Sequence, residues 1–459
     1  MPSLADIRLG GCVNPCNGGT EQAQICCNEP ASIGYNVPAP LRASMFRLVR
    51  PFVLVPALFV AAAVSASAQP PARFEDVARN LRNPDPKVRV SAVRLLRETG
   101  YAEAIVPLAG VVNDQVDSIQ LEAIDAELSY FLVEPVTSKK KVALVVEVRS
   151  EGNAPTAFER GPLAVWPKPV PTELVDALLL AVDDTNKKVR IEAIYTLGVI
   201  GSGSQLKLSD TATASLLKAL DHYDPAVRAG AARVAGRLQV KAAGDALLTA
   251  VNDSNTEVRY ASMRALGEIR NERAVQALTE QLNYYGKGEG AWSALDALAR
   301  IAHPSSVPVF NTRLTDKDAF IRRAAIEGLA RAGDVKDVEP LMIGANQDES
   351  AMVRAAVAFA LYKKGQVNYL NRLIDFARDD RLSPQLQGYF VELGPAVIAD
   401  VVVRLQEPDP DTRRNLVMIL GALGDQSIVT ILTPYKDDPN QEVAAAATTA
   451  IERIKMSGR

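Results

Sequence analysis

The chain has 459 residues, 48% of them hydrophobic and 23% charged, with a net charge of −3. These proportions are ordinary for a folded, water-facing protein, and a pI of about 5.7 argues against a nucleic-acid groove. Aromatic residues make up only 5%, so contacts between elements are expected to rest on Ala, Leu and Val.

Residues 1–44 hold all four cysteines, Cys12, Cys16, Cys26 and Cys27. Their irregular spacing makes a poor zinc motif. This stretch reads as a disordered, mis-called extension upstream of a true start at Met45. A secretory signal follows over 45–68: basic Arg47 and Arg50, an apolar run from Phe52 to Val64, and the Ala66-Ser67-Ala68 cleavage box before Gln69. The apolar run is shorter than the roughly 20 residues that span a membrane. The expected location is therefore periplasmic or secreted, with no stable membrane insertion after cleavage. A chain starting at Gln69 holds no cysteine, hence no disulfide and no thiol nucleophile.

From about Phe74 a phrase returns about every 31 residues: a small polar residue, two residues, Val-Arg, then an Ala-rich apolar stretch. A fixed period of this length means stacked supersecondary units. The Val of the phrase serves as an anchor, falling at Val88, Ile119, Val189, Val227, Val258, Gly290, Ile321, Val353, Leu386, Thr412 and Val443. The units at Ile119, Gly290 and Leu386 are degenerate. Asp85, Asn186, Asp224, Asn255, Asp318 and Ser350 stand where helix N-caps belong, and Pro86 and Pro225 occupy the first helical position. Ser383-Pro384, Asp409-Pro410 and Asn440 give the same signal. Each phrase therefore opens a helix, B, whose apolar stripe recurs at helical spacing, as in Val189, Ala193, Ile194, Leu197 and Ile200. A second helix, A, precedes each B, for example at 172–182, 212–220, 243–251, 275–282 and 335–343. Gly100, Gly201, Gly333, Gly365 and Gly424 mark helix ends, and Gly201 to Gln205 reads as a polar loop.

The repeats occupy 69–132 and 172–459, and 133–171 interrupts them. Lys139 to Val148 is β-branched and reads as a strand, Ser150 to Pro155 as a turn, and Ala157 to Trp166 as a return strand. The insertion is expected to be a β-hairpin, and Phe158, Arg160 and Trp166 are its candidate partner contacts.

Five residues before the anchor stands an acid, as in Asp114, Asp184, Asp253, Asp316, Asp348, Glu407 and Asp438; one residue after it stands Arg89, Arg190, Arg228, Arg259, Arg322, Arg354 or Arg413. Acids in step with arginines predict a structural ladder of ion pairs that fixes register, rather than an anion-binding row.

The pattern Asp-x4-[Val/Ile]-Arg-x2-Ala, seen at Asp184 to Ala193, Asp253 to Ser262 (with Ser in the Ala place) and Asp316 to Ala325, resembles HEAT repeats of the PBS-lyase-like type. That resemblance covers about Phe74 to Met456 apart from the insertion. It implies an all-α, right-handed solenoid of stacked helix pairs, an armadillo-like superhelix, here with one inserted β-hairpin. The family includes phycobilin lyases, a di-iron hydroxylase and many scaffold or adaptor proteins. The His-Glu pairs of the hydroxylase have no counterpart here: the two histidines, His222 and His303, are followed by Tyr223 and Pro304. No residues match a lyase site. Gly286 to Gly290 resembles a phosphate loop only in its glycines, since no Lys-Ser/Thr ending follows.

The expectation is a non-enzymatic scaffold for protein partners, with no catalytic residue, cofactor or metal and no nucleic acid bound. The B helices are expected to line its concave side. The alternatives are a lyase-like or other ligand-processing protein with a concave-face pocket, or an accessory subunit of an enzyme complex.

Overall fold

The computed structural model describes residues 73–134, 138–142, 145–149, 154–342 and 344–458. The four cysteines and the 45–68 signal segment lie outside the described residues. All described residues belong to one compact unit that begins at Gln69.

Helical repeats fill this unit. The first two B helices are α1 (Pro86–Thr99) and α2 (Asp117–Phe131). A short insertion helix, α3 (Ala154–Glu159), follows. The B series resumes with α4 (Lys187–Ser204), α5 (Pro225–Arg237), α6 (Thr256–Glu268) and α7 (Gly288–Ile301). It ends with α8 (Ala319–Ala332), α9 (Ala351–Lys363), α10 (Ser383–Leu393), α11 (Pro410–Leu423) and α12 (Gln441–Ser457). The A helices are shorter, as at Thr172–Ala181, Asp210–Ala219 and Gly244–Ala250. Among the described residues no single helix is long and apolar enough to cross a membrane.

The caps follow the chemistry of the phrase. Side chains of Asp85, Asn186, Asp224, Asn255, Asp318, Asp409 and Asn440 accept from first-turn N–H groups, each typically worth about 1 kcal/mol. Ser350 makes no such bond, and α10 begins at Ser383 itself behind an uncapped Leu382. The degenerate helices α2 and α7 are uncapped as well. The anchor stripe forms one core: Val189, Ala193, Ile194, Leu197 and Ile200 are all fully buried. Gly100 and Gly424 close helices in the left-handed conformation. The expected loop at Gly201 is instead the last turn of α4, closed by Gln205 in the left-handed conformation. Glycine is needed there for space: a Cβ on Gly203 would lie 2.7 Å from Val165, and one on Gly201 2.7 Å from Leu238.

The insertion differs from the hairpin drawn from sequence. Ser138–Val142 pairs antiparallel with Val145–Arg149, so the stretch expected as one strand carries two. The expected return strand is α3 followed by a 3-10 turn, Pro162–Ala164. Ala154, Ala157 and Phe158, at i, i+3 and i+4, bury one helical face. That period, in a stretch of only six residues, outweighs the strand reading.

The arginine after the anchor works in two directions. One nitrogen donates to two carbonyls of its own A–B loop, as Arg228 does to His222 and Tyr223 and Arg322 to Asp316 and Lys317. The other two fork onto the acid of the next repeat. Arg228 meets Asp253 at 2.8 and 2.9 Å, Arg322 meets Asp348 at 2.8 and 2.9 Å, and Arg89 meets Asp114 at 2.7 and 2.9 Å. Arg413 meets Asp438 at 3.0 Å through both nitrogens. Each acid also accepts the N–H two residues on, as Asp253 does from Asn255, which shapes the turn into the next helix. One carboxylate thus fixes its own loop and the neighbouring repeat.

Where the consensus lapses, a substitute completes the rung. Arg190 reaches the cap residue Asp224 at 2.7 Å, because His222 holds the usual acid place and its ring nitrogen accepts from the Asp224 N–H. Arg259 donates to the Tyr285 hydroxyl at 2.7 Å. Gln120, in an arginine place, donates to Asp184 at 2.9 Å. Between α7 and α8, Ala291 takes the arginine place and leaves Asp316 without a fork; Trp292 donates to Asp318 at 2.6 Å instead. Arg354 finds only the carbonyls of Asp348 and Glu349, so the ladder stops between α9 and α10.

Arg228→Ala is expected to destabilise the chain by about 2–3 kcal/mol, because it strands a largely buried Asp253; the urea midpoint measures this. The Arg228 hydrogen bond holds the Asp253 carboxyl below its usual range. Its contribution is therefore complete above about pH 4 and drains as pH falls towards the depressed folded value. The difference between wild type and Arg228→Ala should shrink across that acid window and stay flat from pH 5 to 8.

Candidate interaction face

Positions six and ten residues after each anchor share one helix face, since they stand at i and i+4. In α5 to α8 these positions carry Arg233 and Arg237, Arg264 and Glu268, Asp296 and Arg300, and Glu327 and Arg331. The charges act on one another across four helices. Burial pushes the Asp296 carboxyl up, but Arg300, Arg323 and Arg331 together bring it below its usual range. Asp296, ahead of Glu268 and Glu327, holds the Arg300 guanidinium firmly protonated. Burial raises Glu268 despite Arg300, Arg237 and Arg264 nearby. Solvent still reaches the face: the side chains of Arg264 and Arg300 are 41% and 50% exposed. Tyr260 and Trp292, two residues after their anchors, border it, with Tyr285 at 5.4 Å from Tyr260 and Phe320 at 5.0 Å from Trp292.

At both ends of this stretch the same positions carry large apolar residues, wholly on α4 and in part on α9, and there they are covered. On α4 they are Tyr195 and Val199, both buried. Helix α3 lies over them, with the Phe158 ring edge-on to Tyr195 at 5.4 Å. On α9 they are Phe359 and Lys363. Tyr389 of α10 stacks on Phe359 at 4.3 Å and donates to Glu327 at 2.6 Å. Glu392 joins Arg331 at 2.9 Å and Lys363 at 3.1 Å. Between these two covers the face is most open on α6 and α7; on α8 Glu327 is buried.

The sequence-derived contact residues are placed differently. Phe158 is 5% exposed, so its ring belongs to the core and offers no surface to a partner. The Arg237 guanidinium lies 4.1 Å from its ring centroid and donates to its carbonyl at 3.4 Å. Arg160 is exposed and donates to the Glu134 carbonyl at 3.1 Å. Trp166 is half-buried, and its backbone N–H donates to the Phe131 carbonyl at 2.7 Å. The three do not form one surface. The end of the insertion instead meets α12, where Arg453 donates to the carbonyls of Leu163 and Val165. The residues of the open face were present in the sequence at constant offsets from the anchors, but only apolar and ladder positions had been followed.

A model of HEAT repeats matches residues 213–284 and 288–381. These two stretches carry HEAT repeats. The matched residues contain most of α5 to α9 and hence the open face. Comparison with curated proteins finds no match. Among solved structures, an engineered protein is 18% identical with a TM-score of 0.38, covering 83% of this chain and 98% of its own. The CpcE–CpcF complex of phycocyanin lyase from a Nostoc species is 20% identical with a TM-score of 0.33, covering 55% of this chain and 95% of its own. Human deoxyhypusine hydroxylase in complex with glycerol is 20% identical with a TM-score of 0.26, covering 61% and 96%.

In these repeats the cover by α3 depends on Gly198, where a Cβ would lie 2.8 Å from the Phe158 ring and 2.7 Å from Val234. Gly198→Ala is expected to lower the melting temperature despite the higher helix propensity of Ala. Phe158→Ala alone should cost about 3 kcal/mol. The two costs should not add, because the smaller ring position relieves the clash; strict additivity in a thermal double-mutant cycle would contradict this packing.

Proposed function

We propose that this chain is a non-enzymatic scaffold that holds a protein partner on the open face of α5 to α8, and that it acts in the periplasm or outside the cell. One observation carries the reading. The charges at +6 and +10 are more numerous than the stack requires, since the ladder at +1 already joins these repeats. Long charged side chains kept in a fixed, partly exposed array, bordered by Tyr260 and Trp292, suit protein recognition, in which arginine and aromatic side chains dominate the energetics. Recognition by a rigid repeat surface also requires no motion of the scaffold. The export half of the proposal rests on the 45–68 signal pattern alone.

Trp292→benzoylphenylalanine, irradiated in producing cells, is expected to give one protein adduct of defined mass. Arg264→Glu with Arg300→Glu should abolish that adduct, whereas Arg273→Glu, in an exposed loop pair with Asp245, should leave it. The mature chain should begin at Gln69 by intact mass. Absence of an adduct from this position, together with a small molecule retained through purification, would overturn the scaffold reading.

A further inference from the structure

The chain already holds one segment on this type of face, and it is its own. Helix α3 lies across α4 and α5 with Phe158 as the anchor. Its ring is packed against Tyr195 and Gly198 and covered by the Arg237 guanidinium, which also donates to the Phe158 carbonyl. The next residue, Glu159, places its carboxylate where it favours the charged forms of Arg233 and Arg237. The mode of capture is therefore an aromatic ring under the +10 arginine, with an acid beside the +6 and +10 arginines. Cation–π contacts of this kind contribute about 0.5–2 kcal/mol.

The same face continues onto α6 and α7, where nothing from the described residues covers it; on α8, Tyr389 and Glu392 already engage Glu327 and Arg331. The elements of capture recur there: Arg264 at +6, Arg300 and Arg331 at +10, and Tyr260 and Trp292 alongside. Arg331 is engaged by Glu392, and Arg264 and Arg300 are bound only by the exposed or partly exposed acids Glu289 and Asp296, each at 2.7 Å. An incoming carboxylate can share these guanidiniums, each of which has five donors.

We infer that the open face of α6 and α7 takes a short segment of a protein partner in which an aromatic residue is followed by a carboxylate, as α4 and α5 take Phe158-Glu159. The inference rests on the scaffold reading and adds the chemistry of the partner. It rests on continuity with the α3 interface, where the Arg237 guanidinium lies over the Phe158 ring and donates to its carbonyl, and on Arg264 and Arg300, which continue the arginines of that face onto α6 and α7.

The probe is a fluorescein-labelled peptide copying residues 154–166, added to the full chain and followed by anisotropy. Saturable binding is expected, weakening as salt rises. Glu159→Lys or Phe158→Ala in the peptide should weaken it about tenfold or more, as should Arg264→Glu with Arg300→Glu in the protein, while Arg273→Glu should not. Circular dichroism and the urea midpoint establish that the variants remain folded. Equal binding of the Glu159→Lys peptide would overturn the inference. So would binding that is lost with Arg237→Glu but not with Arg264→Glu and Arg300→Glu, since the peptide would then have replaced α3. A stronger preference for single-stranded DNA would overturn it as well. A photo-crosslinked partner without peptide binding leaves the scaffold reading standing and removes this motif; a retained small molecule with no adduct removes both.

Discussion

The fork from one arginine to the aspartate of the next repeat is the contact on which the rest depends. Apolar stripes of Ala, Leu and Val bury area without regard to direction, and one such stripe could slide along another. The fork removes that freedom, because a planar guanidinium meets a carboxylate bidentately only in one geometry. Its third nitrogen ties the same arginine to its own loop, so loop shape and repeat spacing are set together. Much of the Coulombic gain is spent on desolvation, so the pair specifies register more than it adds net stability. The substitutes at Asp224, Tyr285 and Asp184 show the same constraint met by different groups. In each, a polar atom from the following repeat reaches back to the preceding one.

Because the ladder holds the repeats at the +1 position, the +6 and +10 positions are released from that task. They vary accordingly. Where they are apolar, on α4 and α9, a neighbouring segment covers them. Where they are charged, on α6 and α7, Arg264 and Arg300 remain open to solvent. The polarity of two positions per repeat therefore maps which part of the face the chain keeps for itself. The same principle operates at the junction of α9 and α10. Arg354 finds no acid there, and Tyr389 with Glu392 reaches back past α9 to Glu327 and Arg331 on α8. Burial, with Glu327 beside it, drives the Tyr389 phenol well above its ordinary range, so it stays a neutral donor to that carboxyl.

Most of the helical framework was legible because each repeat states it several times. Asp or Asn before most B helices, the stripe from the anchor, and the paired acid and arginine all point to one unit. The degenerate repeats were legible as such: α2, α7 and α10, whose anchors lie in altered phrases, all lack a capping bond, as does α9 behind Ser350. Two segments were misjudged for physical reasons. Gly201 to Gln205 carries loop-forming residues, but two of its glycines serve close packing inside a helix. Residues 154–159 are too short for a helical period to stand out. Phe158 was singled out as the segment's large ring, and being a large ring it is buried. The open face was missed for another reason: a charged i, i+4 pair on one helix is commonplace, and its meaning lies in its recurrence from α5 to α8.

Hydrogen exchange resolved by repeat tests the governing role of the ladder most directly. Helices α5 to α9, joined by unbroken rungs, should open together with a single free energy. Helices α10 to α12, beyond the gap at Arg354, should open separately and at lower cost, and Glu392→Gln should lower that cost further. Protection that runs uniformly from α5 to α12 and ignores Glu392→Gln would show that apolar packing alone sets the cooperativity of the stack.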